Sequence, residues 1–219
     1  MFITLEGIEG AGKTCQLANI VTFLTSEGHE CITTREPGGT AVGGQIRGVL
    51  LDPANTGLVP AAELLLYIAD RIQHIRTVIE PHLAANRTVL CDRFFDATLV
   101  YQGYARGLDK TLICQLHALV CDNLQPDLTL LFDLEPEIGL ARAWRQINNG
   151  DRTGSESRFE QEKIEFHRKV RAGYLDLARK SPQRFRIIDA GQEKHAVAKA
   201  VQREVAAYLA SDKPKALSD

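Results

Sequence analysis

The chain has no long apolar run: stretches such as Leu64–Ile68 and Leu128–Phe132 fall far short of the ~20 residues that cross a bilayer. A membrane-spanning class is excluded. It also has no charge bias, because 26 Lys and Arg against 28 Asp and Glu leave a formal net charge of −2, which argues against nucleic acid or a membrane surface as partner. Any anion it binds has to be met by local groups. Cysteine is scarce and odd in number: Cys15, Cys31, Cys91, Cys114 and Cys121 show no metal-ligand spacing, and four of them lie in apolar segments. Free thiols in a reducing compartment fit that pattern. No basic region precedes Met1–Leu5, which reads as a first strand rather than a signal peptide, so the cytoplasm is the expected location. There is no internal repeat, low-complexity linker or composition break. A chain of 219 residues, 44% hydrophobic and 25% charged, suits one domain over 1–219 with a sizeable core and a frayed tail from about 212.

What is present is an alternation. Short apolar runs at Phe2–Leu5, Cys31–Thr34, Thr88–Cys91, Leu128–Phe132 and Phe185–Ile188 are each followed by polar or Gly/Pro residues and a helix-like segment. This predicts an α/β fold with a parallel sheet covered by helices on both faces and chemistry at the carboxyl ends of the strands. Pro60 opens a predicted helix to about Glu80, stopped or bent by Pro81, with Leu64, Leu65, Ile68, Ile72 and Ile75 on one face. Further helices are predicted over Thr111–Leu124 and Arg158–Lys180. Between them, Arg142–Arg158 combines Arg142, Arg145, Arg152 and Arg158 with Asn148-Asn149-Gly150, the composition of a flap over an anion or of a solvated surface loop.

Gly7-Ile8-Glu9-Gly10-Ala11-Gly12-Lys13-Thr14 matches G-x-x-x-x-G-K-[ST] between an apolar strand and a helix former. Glycines let the backbone wrap phosphates, successive N–H groups and the helix N-terminus supply positive charge, Lys13 bridges the β- and γ-phosphates of ATP, and Thr14 is a Mg²⁺ ligand candidate. The loop alone does not name a reaction. An Asn-Lys-x-Asp guanine motif is absent. Glu9 is an acid inside an anion cradle, a position that makes sense if it accepts a hydrogen bond from a hydroxyl such as a sugar's.

With Thr34-Arg35-Glu36-Pro37-Gly38-Gly39-Thr40, Asp92-Arg93-Phe94, Tyr101-Gln102-Gly103 and Pro126-Asp127-Leu128-Thr129 in order after that loop, nearly the whole chain resembles bacterial thymidylate kinases. The resemblance implies a five-stranded parallel P-loop sheet with a lid, and transfer of the ATP γ-phosphoryl group to dTMP. It also implies a homodimer. By the same resemblance Glu9 accepts the deoxyribose 3′-hydroxyl, Arg93 and Arg47 hold the dTMP phosphate, and Arg35 lies near them. Tyr67 and Arg71, four apart and so on one helix face, stack on thymine and read its exocyclic oxygen. Thr98 and Gln102 contact the base edge, and Tyr101 crowds out a ribose 2′-hydroxyl. Position 67 departs from the more usual Phe, and Cys15 from a usual Thr.

Plain structural alternatives stand beside these roles: Tyr67 as ordinary core, Arg71 in a surface ion pair near Glu63 or Asp70, Arg93 paired with Asp92, and Thr98 and Gln102 capping a turn. The six histidines are scattered without ligand spacing and receive no chemistry.

A phosphate monoester is mostly dianionic at neutral pH, with a second pKa of about 6, so no general base is required. The obstacle is repulsion between two anions. Lys13, Mg²⁺ and Arg93 offset part of it, and a further arginine is expected at the transferring group. The P-loop holds none, which leaves the flap: Arg158 first, then Arg152, Arg145 and Arg142, the last also a candidate against adenine. Asp92, ending a buried strand, is a direct or indirect metal partner. Competing readings are a kinase for dUMP, dCMP or GMP, or an ATP-binding switch without transfer; the acceptor residues argue against the switch.

Overall fold

The computed structural model describes residues 1–151 and 153–212. Five parallel strands, β1 (Phe2–Glu6), β2 (Cys31–Arg35), β3 (Thr88–Asp92), β4 (Leu128–Asp133) and β5 (Phe185–Asp189), form one sheet in the order β2-β3-β1-β4-β5. The helices are α1 (Lys13–Ser26), α2 (Ala41–Leu51), α3 (Pro60–His74), α4 (Glu80–Ala84), α5 (Phe95–Thr98), α6 (Lys110–Cys121), α7 (Pro136–Asn148), α8 (Ile164–Lys180) and α9 (Lys194–Asp212). All five strands fall within a residue or two of the predicted runs.

Placement follows composition. Every residue of β1 is buried, as are the first five of β4, which suits central strands sandwiched between helices. The edge strands β2 and β5 are only half covered, and their more polar sequences, Cys31-Ile32-Thr33-Thr34-Arg35 and Phe185-Arg186-Ile187-Ile188-Asp189, tolerate that. Leu5 pairs in register with Asp92, and Asp92 with Arg35. Three strand ends therefore deliver polar side chains to one edge, beside the central strand where the chain order reverses direction across the sheet.

Several predicted boundaries move. The helix from Pro60 does not end at Pro81; a π-helical turn at Ile75–Ile79 intervenes, and the chain continues helical through Pro81 into α4, which begins at Glu80. On that helix Leu64, Ile68 and Ile75 are buried, but Leu65 is exposed. Helix α6 ends at Cys121 because Asp122 and Asn123 adopt left-handed conformations. Helix α8 starts at Ile164, not Arg158, since 157–163 forms a turn over the sheet's carboxyl edge. All five cysteines are free, with Cys91 and Cys121 buried and Cys15 and Cys114 exposed rather than packed. The predicted frayed tail lies beyond the described residues except for the end of α9. Among the described residues no helix is long and apolar enough to cross a membrane.

Candidate active site

The P-loop joins β1 to α1 by a turn that only glycine accommodates. Gly10 has φ +69, and a Cβ there would stand 2.0 Å from the Gly139 carbonyl oxygen of α7. Gly12 caps α1 in the left-handed region. The loop encloses its own lysine: Lys13 Nζ donates to the Gly7 and Ile8 carbonyls at 3.0 and 2.9 Å. Burial and the nearby Arg93 push the Lys13 ammonium down to about 8, against the pull of Asp92 and Glu9. At the loop's exit Thr14 Oγ1 donates to Asp92 Oδ2 at 3.2 Å, joining the ends of α1 and β3 in one oxygen-rich corner.

A cavity of about 500 Å³ opens from this loop. Of the residues assigned to ATP, dTMP or metal, its walls include Glu9, Gly10, Ala11, Gly12, Lys13, Thr14, Arg35, Arg47, Tyr67, Arg71, Asp92, Arg93, Thr98 and Tyr101. Residues from nine elements or loops thus meet at one place.

The acceptor half is organised by carboxylates. Glu9 Oε1 receives the Arg93 guanidinium at 3.0 Å and the Tyr101 hydroxyl at 2.5 Å. Although burial opposes its charge, His167, Arg93 and Tyr101 hold the Glu9 carboxyl well below the usual range. Arg93 does not pair with Asp92, the alternative drawn from sequence; it turns to Glu9 and to the Tyr174 hydroxyl, 3.1 Å away, with its guanidinium over the Tyr101 ring. Its backbone has φ +71, an uncommon conformation for a side chain this size and of the kind that clusters at functional sites.

Arg71 is 1% exposed, which removes the surface ion-pair alternative. Its guanidinium donates to Glu36 at 2.8 Å and to Thr98 Oγ1 at 2.8 Å, and lies over the Phe94 ring. His74 Nδ1 braces the other Glu36 oxygen at 2.9 Å. Arg47 makes a two-pronged contact with Glu156 of the flap, 2.9 and 2.7 Å. Burial raises the Tyr67 phenol above its usual range, as does the nearby Glu63.

Besides Gly7 and Ile8, whose carbonyls accept from Lys13 beneath the loop, three assigned residues are not in the cavity walls. Gln102 is buried and donates to Glu63 at 2.8 Å. Arg142 donates to the Ala190 carbonyl at 3.0 Å, in the loop after β5. Arg158, expected over the transferring phosphoryl, is instead folded inward: its guanidinium donates to Glu63 at 2.6 Å and to the Leu50 carbonyl, and its backbone N–H to Leu51. The reason is the buried Glu63 carboxylate, whose charge requires cationic partners. Arg145 is exposed, and Arg152 lies outside the described residues.

Sequence reasoning assigned no role to Glu36, Glu63, His74, His167 or Tyr174, all of which hold the assigned residues in place. Glu36 had a signal, its place in the Arg35-Glu36-Pro37 motif; the others are single polar residues on helices whose partners are distant in the chain.

With this geometry in hand, the comparisons are decisive. Residues 5–201 match the family model for thymidylate kinase. The chain belongs to the thymidylate kinase family. It is 58% identical over 190 residues to a thymidylate kinase of Desulfosudis oleivorans, covering 87% of this chain and 89% of that one. A thymidylate kinase of Geotalea uraniireducens is 51% identical, with 95% and 98% covered. In structure the chain is similar to a crystallised thymidylate kinase from Ehrlichia chaffeensis, with TM-score 0.74 at 35% identity and 94% and 98% of the two chains covered. Thymidylate kinases phosphorylate dTMP to dTDP with ATP, and the fold and enzyme class expected from the motifs are those found.

Proposed function

We propose that the cavity binds ATP and dTMP with their phosphates facing, and that its own cations make the approach of the two anions possible. The observation that supports this best is the convergence of Lys13, Arg35, Arg47, Arg71 and Arg93 on one wall system lined by the P-loop. In a water-poor cleft, fixed positive groups act with little screening and need no reorganisation as charge builds up.

ATP lies along the P-loop: the backbone from Gly7 and Ile8 through Glu9, Gly10, Ala11 and Gly12 wraps the phosphates, and Lys13 exchanges its two carbonyl partners for their oxygens. Arg142 stands against the adenine beside the loop after β5. Thr14 and Asp92 form an oxygen donor pair suited to Mg²⁺, which when bound neutralises charge on the phosphates.

On the other side Glu9 accepts the 3′-hydroxyl, Arg93 and Arg47 hold the acceptor phosphate with Arg35 beside them, Tyr67 stacks on the base, and Arg71 with Thr98 reads its edge. Tyr101, held to Glu9, excludes a 2′-hydroxyl. Gln102 acts behind this wall, through Glu63. Arg93 serves both anions and is the principal catalytic arginine. Arg158 joins it at the transferring group after exchanging Glu63 for phosphoryl oxygens, a movement of the lid at about 142–158 that also excludes water.

The whole chain acts as one catalytic domain in the cytoplasm. We further assign a homodimer built on α2, α3 and α6, which pack side by side and expose Val49, Leu65, Leu112 and Leu119. The decisive experiment offers dTMP, dUMP, dCMP and GMP with Mg·ATP and measures the diphosphate formed. dTMP should lead, with some dUMP turnover, because one methyl is worth only about 1–3 kcal/mol. Equal rates across the panel overturn the acceptor assignment.

A further inference from the structure

The two oxygens of Glu9 are treated differently by the protein. Oε1 is saturated by Arg93 and Tyr101. Oε2 is buried and has no hydrogen-bond partner among the described residues. Glu9 itself is 9% exposed and lines the cavity, while Oε2 is its inward oxygen, in surroundings that disfavour an unsupported charge.

The group standing behind that oxygen is His167 of α8. Its side chain is fully buried, it is not part of the cavity wall, and its Nδ1 lies 3.3 Å from Glu9 Oε2. The contact is close enough for ionic attraction but falls outside hydrogen-bond alignment, and neither ring nitrogen has another hydrogen-bond partner among the described residues. A buried imidazole with both nitrogens idle is costly, and here it is aimed at the one idle oxygen of a substrate-facing acid.

We infer that His167 is a positioning residue for the acceptor sugar: from behind the cavity wall its Nδ1 holds the inner Glu9 oxygen, Oε2, and so fixes the carboxylate that accepts the 3′-hydroxyl of the incoming deoxynucleotide. Resting on the assignment of Glu9 to the 3′-hydroxyl, this adds the device that fixes the acid. Oε1 is anchored by the residues that also serve the phosphate and the 2′ position, and Oε2 by His167, so the carboxylate cannot rotate away as substrate enters. The effect is directed at the 3′-oxygen because the polar group that His167 faces is the Glu9 carboxylate.

That specificity supplies a readout that a merely structural role leaves unmoved. Steady-state kinetics with dTMP and with 3′-deoxy-dTMP should be compared for the unaltered enzyme, His167→Asn, which keeps a donor near Nδ1, and His167→Phe, which keeps the ring volume without a donor. In H167F kcat/KM for dTMP should fall about tenfold, chiefly through KM, as for loss of a polar contact that supports a buried charged group. That for 3′-deoxy-dTMP and the KM for ATP should stay within about twofold, and H167N should recover most of the preference for dTMP. If H167F does not fold, His167→Gln, whose amide reaches toward the Nε2 position, takes its place as the variant that loses the preference. Equal losses on both acceptors, or no loss on either, overturn the role of His167. The Glu9 assignment fails separately, if the unaltered enzyme already uses both acceptors equally or if Glu9→Gln leaves the preference for dTMP intact.

Discussion

Arg158 donates to the Glu63 carboxylate at 2.6 Å, and this contact ties the base of the flap to α3 beneath the acceptor wall. Glu63 has no exposed surface and also receives Gln102 and Arg106. Three donors on one buried acid make a bridge that is expensive to break from the acid's side, because its loss strands two buried or half-buried cations. Glu63→Ala should destabilise the fold by about 3 kcal/mol or more, read from urea midpoints. Arg158→Ala should show a lower kcat by about 10³-fold with little change in KM for dTMP; turnover within a few fold of normal would leave Arg158 only its part in the bridge.

The two-pronged contact of Arg47 with Glu156 occupies the guanidinium assigned to the dTMP phosphate. Substrate phosphate and flap carboxylate then compete for one cation. Glu156→Ala should lower the KM for dTMP a few fold, while Arg47→Ala should raise it by about tenfold or more. An unchanged or higher KM in E156A would remove the competition.

Lys13 is charged in the free enzyme below about 8 and loses its proton above it. Phosphate binding requires the ammonium, so KM for ATP should rise as pH passes upward through about 8 and stay flat between pH 6 and 7. Bound polyphosphate stabilises the charge, so kcat should turn at a higher pH than kcat/KM. A profile for kcat/KM flat to pH 9.5 would contradict this.

Asp92 shares its corner with Thr14 and the P-loop. Asp92→Asn should raise the Mg²⁺ concentration for half-maximal activity by about tenfold, the lower range for losing a metal's supporting group. A magnesium titration at fixed ATP decides it.

His117 stacks on Phe95 with ring centroids 3.8 Å apart, and its Nε2 donates to the Leu124 carbonyl. Burial and the neighbouring Arg71 push its imidazole down to about 4. Between about 4 and 6.5 the unfolded chain binds a proton that the native state refuses, so this group's contribution is complete above 6.5 and is lost as pH falls toward 4. The loss amounts to up to about 3 kcal/mol. Comparing urea midpoints at pH 7 and 5, His117→Phe should show a smaller acid loss than the unaltered protein. Asp70 works in the opposite sense, since burial and Glu36 push it up to about 6, so the difference between the two proteins, not the raw slope, is the measurement.

How far the sequence could be read is clear from particular residues. The strands and the P-loop were legible because each is announced by contiguous residues: β-branched runs for the strands, glycines and Lys13 for the loop. Helix starts were less so. Arg158–Glu162 has helical composition, but burial of Arg158 against Glu63 and Leu50 holds it in a turn instead. Pro81 looked like a stop only because a π-helical turn ahead of it leaves no mark in composition. Cys114 sits in an apolar stretch yet is exposed, since which side of α6 faces the core depends on the neighbouring helices.

By itself the amino-acid order determined the nucleotide cradle, the sheet and the family's reaction, because a phosphate loop works through backbone groups whose shape is dictated by adjacent glycines. Tertiary structure decided which acid holds which cation: Arg71 on Glu36, Arg93 on Glu9, Arg158 on Glu63, and His167 behind Glu9. Charged side chains are long, each has several possible partners, and only packing of distant segments sets which one is within reach and how dry the meeting place is.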